Sequence, residues 1–159
     1  MITIGILIFP QVEELDFVGP FEVVSYVNKI KPDSTKVLLI AERAEPITAY
    51  NGLKVIPDTS IEESPQLDIL IVPGGKGRMA AMHNFRIRDF ILQQTEGTLY
   101  TTSVCTGALL LAEAAPPPPC LPDCELLPRV VSEKDLYPAL IGVGICLTSC
   151  LVCGVTIGN

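Results

Sequence analysis

Tryptophan is absent from the 159 residues, histidine occurs once, at His83, and aromatic side chains make up only 6%. A metal cluster built on imidazoles, or a hydrolase triad with a histidine base, therefore has little to draw on. Charge is also sparse, at 18% of residues, and its balance is -7 with no cluster of Lys and Arg to reverse it locally. A phosphate backbone would be repelled on average, which argues against nucleic acid as a partner, and no basic helix-turn-helix segment is present to carry DNA binding. The N-terminal run MITIGILIFPQ has no basic residue before it and no small-residue cleavage pattern after it. A signal peptide is not expected, and the cytoplasm is the default compartment, where disulfides would not form. What the chain has in quantity is apolar sequence, 48%, which excludes a disordered polymer. At this length one compact domain is expected, burying roughly 70% of the surface that the unfolded chain exposes.

Composition breaks near Ala115. Seven of the 14 prolines and five of the 6 cysteines follow that point, Pro116 to Pro119 form a four-proline run, and Leu136 to Asn159 carry no charge. The proline run can neither continue a helix nor pair as a central strand. Three readings of residues 115–159 stand side by side. Ala139 to Ile157 has the length of a tail anchor, although its glycines and the lack of a following basic residue make a membrane role a weak expectation. Cys120, Cys124, Cys146, Cys150 and Cys153 have a spacing loosely like a zinc or redox site, but no histidine accompanies them. The reading preferred is that these cysteines are incidental and no metal is bound. The organisation expected is a domain over residues 1–114 and a divergent Pro/Cys-rich segment over 115–159, either part of that domain or not natively folded.

Within the first 114 residues the pattern alternates. Ile2 to Phe9 is a continuous β-branched and apolar run, as in a strand buried on both faces of a parallel sheet. Gly19 and Pro20 read as the opening of a helix over Phe21 to Ile30, in which Phe21, Val24, Val27 and Ile30 recur every three residues. Lys36 to Ala41 reads as a second strand, and Asn51-Gly52 sits in a hairpin spanning Ile47 to Ile56. Ile69 to Val72 is a third core strand, Asn84 to Gln94 a helix, Leu99 to Val104 a further strand, and Gly107 to Ala114 the helix that follows at once. Such alternation predicts an α/β fold with a mostly parallel sheet and helices on both faces. Three segments lie at strand carboxyl ends, where ligands gather in such folds: Gln11 to Gly19, Gly74 to Arg78, and Cys105 to Gly107.

Cys105 carries the sharpest chemical signal. It stands in S-V-C-T-G between a buried strand and a helix, the setting of a nucleophile elbow with sulfur in place of oxygen. The N–H groups of the new helix, notably that of Thr106, would favour the thiolate, lower the thiol pKa and stabilise a developing anion. Equally, Cys105 could be a small buried cysteine at a strand end. Asp16, in E-E-L-D-F-V-G-P, is either a loop or capping carboxylate or a carboxyl in a partly dry pocket with a raised pKa. Glu13 and Glu14 are expected to face solvent, and Glu22 is a weaker candidate for the acid. The glycines of P-G-G-K-G, Gly74 and Gly75, allow either a tight turn or close backbone approach to a ligand, and the segment is not a phosphate loop. His83 reads as an exposed or capping residue near a helix start.

Together, L-D-F-V-G-P at Leu15 to Pro20, I-L-I-V-P-G-G at Ile69 to Gly75 and T-T-S-V-C-T-G-A at Thr101 to Ala108 resemble the ThiJ/PfpI, or DJ-1-like, superfamily, and within it the isonitrile hydratases. The resemblance covers Met1 to about Ala114. It implies a flavodoxin-like three-layer sandwich of the class I glutamine amidotransferase-like kind, incomplete at the C-terminus, and usually a homodimer. It also implies a cofactor-independent lyase acting on a small molecule. Cys105 would attack the terminal carbon of an isonitrile, Asp16 would handle protons, Thr106 would sit beside the nucleophile, and backbone N–H groups near Gly74, Gly75 and Thr106 would line an anion site. A non-catalytic redox-sensing or ligand-binding module of the same superfamily is the alternative. The sequence after Ala114 departs from the superfamily pattern, as an altered reading frame, a mis-assigned exon or a divergent truncation would produce.

Overall fold

A computed structural model describes residues 1–114 of the chain. The expectations placed on Cys120, Cys124, Cys146, Cys150 and Cys153, and on the span Ala139 to Ile157, lie outside the described residues. The fold begins where apolar sequence is densest. β1 (Ile2–Leu7) buries Ile4, Ile6 and Leu7 almost completely, and the same burial continues through Ile8 and Phe9. Only a strand with neighbours on both edges and cover on both faces can bury consecutive residues in this way.

Its neighbours are β2 (Thr35–Ala41) and β6 (Ile69–Val72), both parallel to it, with Ile4 opposite Val37 on one side and Ile69 on the other. Outside these lie β5 (Thr59–Ser60) and β7 (Tyr100–Ser103), giving the order β5-β2-β1-β6-β7 with every pairing parallel. A separate antiparallel ribbon, β3 (Ile47–Thr48) and β4 (Lys54–Val55), projects from the path between β2 and β5. The helices are α1 (Glu14–Ile30), α2 (Arg78–His83), α3 (Phe85–Gly97) and α4 (Gly107–Ala114). From β1 the chain crosses through α1 to β2 in one direction. From β6 it crosses through α2 and α3 to β7 in the other. With right-handed crossovers, opposite directions place α1 and α3 on opposite faces, which makes the three-layer α/β sandwich expected from the sequence. The contacts agree: α1 packs on β1 and β2, whereas α2, α3 and α4 pack together and α4 rests on β6 and β7. The reversal of direction between β1 and β6 opens a crevice at their carboxyl ends.

Three elements differ from the sequence expectations. α1 starts at Glu14, two turns before Phe21, and carries Pro20 inside it. Glu14 and Asp16 in its first turn suit the positive end of a helix, and this overrides Gly-Pro as a start signal. The cost falls at a specific atom: Pro20 has no N–H, so the carbonyl of Asp16, four residues earlier, receives no helical hydrogen bond. α2 and β5 are short elements that the periodicity did not show. The hairpin turns through three residues: Ala49 donates to the Leu53 carbonyl at 2.8 Å and Gly52 takes φ 98°. α3 is capped by Asn84, whose side chain accepts from Arg86 N–H at 3.0 Å. Among the described residues no helix is long and apolar enough to cross a membrane.

Gly107, the first residue of α4, is where the helix layer comes closest to the sheet. A Cβ there would overlap the Val72 carbonyl oxygen and lie 2.9 Å from the Pro73 carbonyl carbon. These are backbone atoms and cannot swing away, so Gly107→Ala is expected to lower stability by about 1–3 kcal/mol, the usual range for overpacking. Urea denaturation followed by circular dichroism measures this, and an unchanged midpoint would mean that α4 shifts freely on the sheet.

Candidate active site

β1, β6 and β7 deliver three turns to the same end of the sheet. The turn after β7 is the tightest. Val104 N–H still donates to the Val72 carbonyl at 3.0 Å, continuing the β6–β7 ladder, and Gly107 N–H returns to the Val104 carbonyl at 3.0 Å. Between them Cys105 is forced to φ 53°, a left-handed conformation that costs a non-glycine residue on the order of 1–3 kcal/mol. The strain lifts the side chain out of the layers: Cys105 is exposed and unpaired, while Ser103, Val104 and Gly107 around it are buried. Of the two readings open at this position, the buried structural cysteine is not what the fold builds.

The turn after β6 runs over this sulfur. Gly74 N–H donates to Asp16 Oδ2 at 3.1 Å, and Gly75 N–H donates to Thr106 Oγ1 at 3.2 Å. Both acceptors act on the sulfur: the Asp16 carboxyl raises the thiol pKa, and the Thr106 hydroxyl and backbone N–H lower it. Two adjacent amides thus orient the two side chains that touch Cys105. Close approach requires Gly74: a Cβ there would lie 2.5 Å from Thr106 Oγ1, 2.7 Å from Thr106 N and 3.1 Å from Asp16 Oδ2. The N–H groups of Gly74 and Gly75, read from sequence as lining an anion site, are therefore already engaged by side chains.

Asp16 lies in the first turn of α1, not in a loop, and is 8% exposed. Its turn is stitched to β6 by the Val12–Gly75 bridge and by Glu13 N–H donating to the Gly74 carbonyl at 3.1 Å. Burial pushes the Asp16 carboxyl above its ordinary value, against the hydrogen bonds from Gly74 and Cys105. The Cys105 thiol is also raised, first by desolvation and then by the charge of Asp16, and the Thr106 hydrogen bonds only partly offset this. The expectation that the helix end would lower the thiol pKa is thus overturned: desolvation, and after it the charge of Asp16, outweigh the Thr106 hydrogen bonds at the helix start.

The other residues considered from sequence do not join the site. Glu22 is exposed on α1, and His83 ends α2 instead of starting a helix and is exposed. Sequence reasoning missed the ribbon beside the site. Gln11 N–H donates to the Thr48 carbonyl at 2.9 Å, Tyr50 N–H to the Val12 carbonyl at 2.9 Å, and Lys76 Nζ lies 5.7 Å from the Tyr50 ring centre. Glu14, expected in solvent, accepts from Asn51 N and Nδ2 at 2.6 and 2.8 Å. The Asn51-Gly52 turn was the available signal, but nothing in the sequence says where the hairpin lies. Among the described residues no group of three or more His, Cys, Asp or Glu side chains is placed to hold a metal ion.

The profile of the DJ-1/PfpI family matches residues 3–116. Isonitrile hydratase from Pseudomonas putida is 41% identical over 113 residues, which are 71% of this chain and 47% of that protein. The chain thus spans about half the length of this relative. The crystal structure of a ThiJ/PfpI family protein from Pseudomonas syringae superposes with a TM-score of 0.63 at 29% identity, covering 71% of this chain and 46% of that one. Drosophila melanogaster DJ-1beta superposes with a TM-score of 0.61 at 22% identity, covering 70% and 59%, and shares the fold.

Since the Asp16 charge raises the thiol, removing it must lower it. In Asp16→Asn the midpoint of Cys105 alkylation by iodoacetamide, followed across pH by peptide mapping, is expected to move to lower pH. A midpoint that stays or rises would show that the carboxyl does not act on the sulfur.

Proposed function

Because this chain belongs to the DJ-1/PfpI family, we propose that Cys105 and Asp16 form a nucleophile and proton-relay pair that hydrates an isonitrile to an N-substituted formamide. The observation that carries this reading is the exposed sulfur on a left-handed elbow beside a buried carboxyl that the Gly74 amide holds in place. The similarity to an isonitrile hydratase supports the substrate class.

A thiol with a raised pKa is mostly protonated at neutral pH and needs a base at the moment of attack. Asp16 is placed to take that proton, and its own raised pKa brings it nearer the working pH, where a general acid–base group is most effective. As the sulfur bonds to the terminal carbon of the isonitrile, the thiol proton passes to Asp16 and then to that carbon, giving a thioimidate on Cys105. Water adds to the thioimidate carbon and the imine nitrogen takes up a proton. The carbon–sulfur bond then breaks, the sulfur recovers its proton, and the formamide leaves. One water is consumed and no electrons are exchanged, so no cofactor is called for. Thr106 steadies the sulfur through its hydroxyl and N–H. Gly74 and Gly75 serve as positioning residues, since their amides are committed to Asp16 and Thr106.

The alternative of a redox-sensing module has less support, because such sensors rely on thiolate character and here burial and Asp16 oppose it. The reading also carries a cytoplasmic homodimer. Exposed Leu15, Val23, Tyr26 and Ile30 give α1 an apolar outer stripe that would suit a second copy of the chain.

The test is release of the formamide from a simple alkyl isonitrile by the full chain. Cys105→Ala is expected to abolish turnover, and Asp16→Asn to reduce it by about 10²–10⁴-fold, the usual worth of a positioned proton-transfer group. Turnover retained in Cys105→Ala would refute the assignment.

A further inference from the structure

The turn that carries Asp16 is poorly anchored by its own helix. Its N-cap residue, Glu13, is extended at φ -74° and ψ 127° and supplies no side-chain cap. Pro20 deprives the Asp16 carbonyl of its helical partner, so the bond that would tie this residue to the next turn of α1 is missing. A helix start without a side-chain cap and a proline in its second turn both weaken α1 at this end, so this turn depends on contacts from outside the helix.

Beside the bonds from Gly74 and Gly75, an outside contact comes from the β3–β4 ribbon. Its tip, Asn51, donates two hydrogen bonds to the Glu14 carboxylate, from N at 2.6 Å and from Nδ2 at 2.8 Å. Both oxygens of Glu14 are used, one by each donor, which fixes the orientation of the carboxylate as well as its position. The ribbon itself is tied to the strand leading into α1 through Thr48 and Tyr50, and its Tyr50 ring lies near Lys76 on the turn that bears Gly74 and Gly75. Against desolvation, hydrogen bonds from its own N–H, from Asn51 and from Leu53 hold the Glu14 carboxyl below its ordinary value, so it stays ionised and able to accept both bonds at neutral pH.

We infer that Glu14 is a positioning residue: by clamping the hairpin tip at Asn51 it holds the uncapped first turn of α1, and so sets the Asp16 carboxyl against Cys105. The inference rests on the Cys105–Asp16 pairing used in the proposed function but not on the substrate. The ribbon is then part of the site's scaffold, although it contributes no group to the sulfur.

The experiment reads the Cys105 thiol directly and needs no isonitrile, so a failure of the substrate assignment would not affect it. Cys105 alkylation is followed across pH by peptide mapping in Glu14→Ala, Asn51→Ala, Asp16→Asn and the pairwise combinations with Asp16→Asn. Glu14→Ala removes both bonds of the clamp, whereas Asn51→Ala removes only the Nδ2 bond and leaves the backbone N–H and the Glu14 charge in place. Loss of the clamp lets Asp16 drift from the sulfur, so both single variants are expected to move the midpoint to lower pH, towards that of Asp16→Asn, with Glu14→Ala moving it further than Asn51→Ala. Neither should move it further once Asp16 is Asn. An unchanged midpoint in Glu14→Ala overturns the inference. So does a shift in Glu14→Ala that persists undiminished in the Asp16→Asn background, since the Glu14 charge would then act on the thiol directly. Circular dichroism confirms folding, and should Glu14→Ala lose it, Glu14→Gln, whose amide NH2 cannot accept from Asn51, takes its place.

Discussion

Two neighbouring amides, those of Gly74 and Gly75, decide where the two partners of the sulfur sit. They come from one turn at the end of β6, so Asp16 and Thr106, ninety residues apart in sequence, are positioned by the same rigid piece of backbone. The rest of the site depends on this arrangement. A parallel sheet reverses its strand order at β1 and β6, the crevice forms there, and the β6 turn is the element that reaches both walls. Any side chain on Gly74 would occupy the space in which Asp16 and Thr106 meet Cys105.

The electrostatics follow from that closeness. A helix end beside a cysteine ordinarily favours the thiolate. Here partial burial of the sulfur, and after it the charge of the Asp16 carboxyl, outweigh that partial charge. The pair therefore behaves as one unit, with a proton to be placed on either sulfur or carboxylate, and with Thr106 biasing it towards sulfur charge. This is a different device from an isolated reactive thiolate, since burial and Asp16 hold the sulfur towards its protonated form.

Much of this was legible before any coordinates. The β-branched run at Ile2 to Phe9, the glycines after Val72 and the strand-to-helix junction at Cys105 are local signals whose physics is local too, and the fold places them as read. The start of α1 was misread because Gly-Pro is a strong punctuator, whereas the acidic first turn that overrides it is a weaker, cumulative signal. The direction of the thiol shift was misread for a different reason. It depends on how near Asp16 lies to Cys105, which is set by long-range sheet topology and has no trace in the spacing of either motif. The role of Glu14 was hidden in the same way, since its partner Asn51 lies 37 residues on.

The left-handed backbone at Cys105 also limits what this position can become. Only residues with an unbranched Cβ tolerate that geometry at modest cost, with asparagine, aspartate and glycine the most at ease. A serine could inherit the perch and convert sulfur chemistry to oxygen chemistry in one step. Threonine or valine would have to unwind the junction first. The repertoire reachable from this scaffold by single replacements is thus narrowed by a torsion angle before any question of reactivity arises.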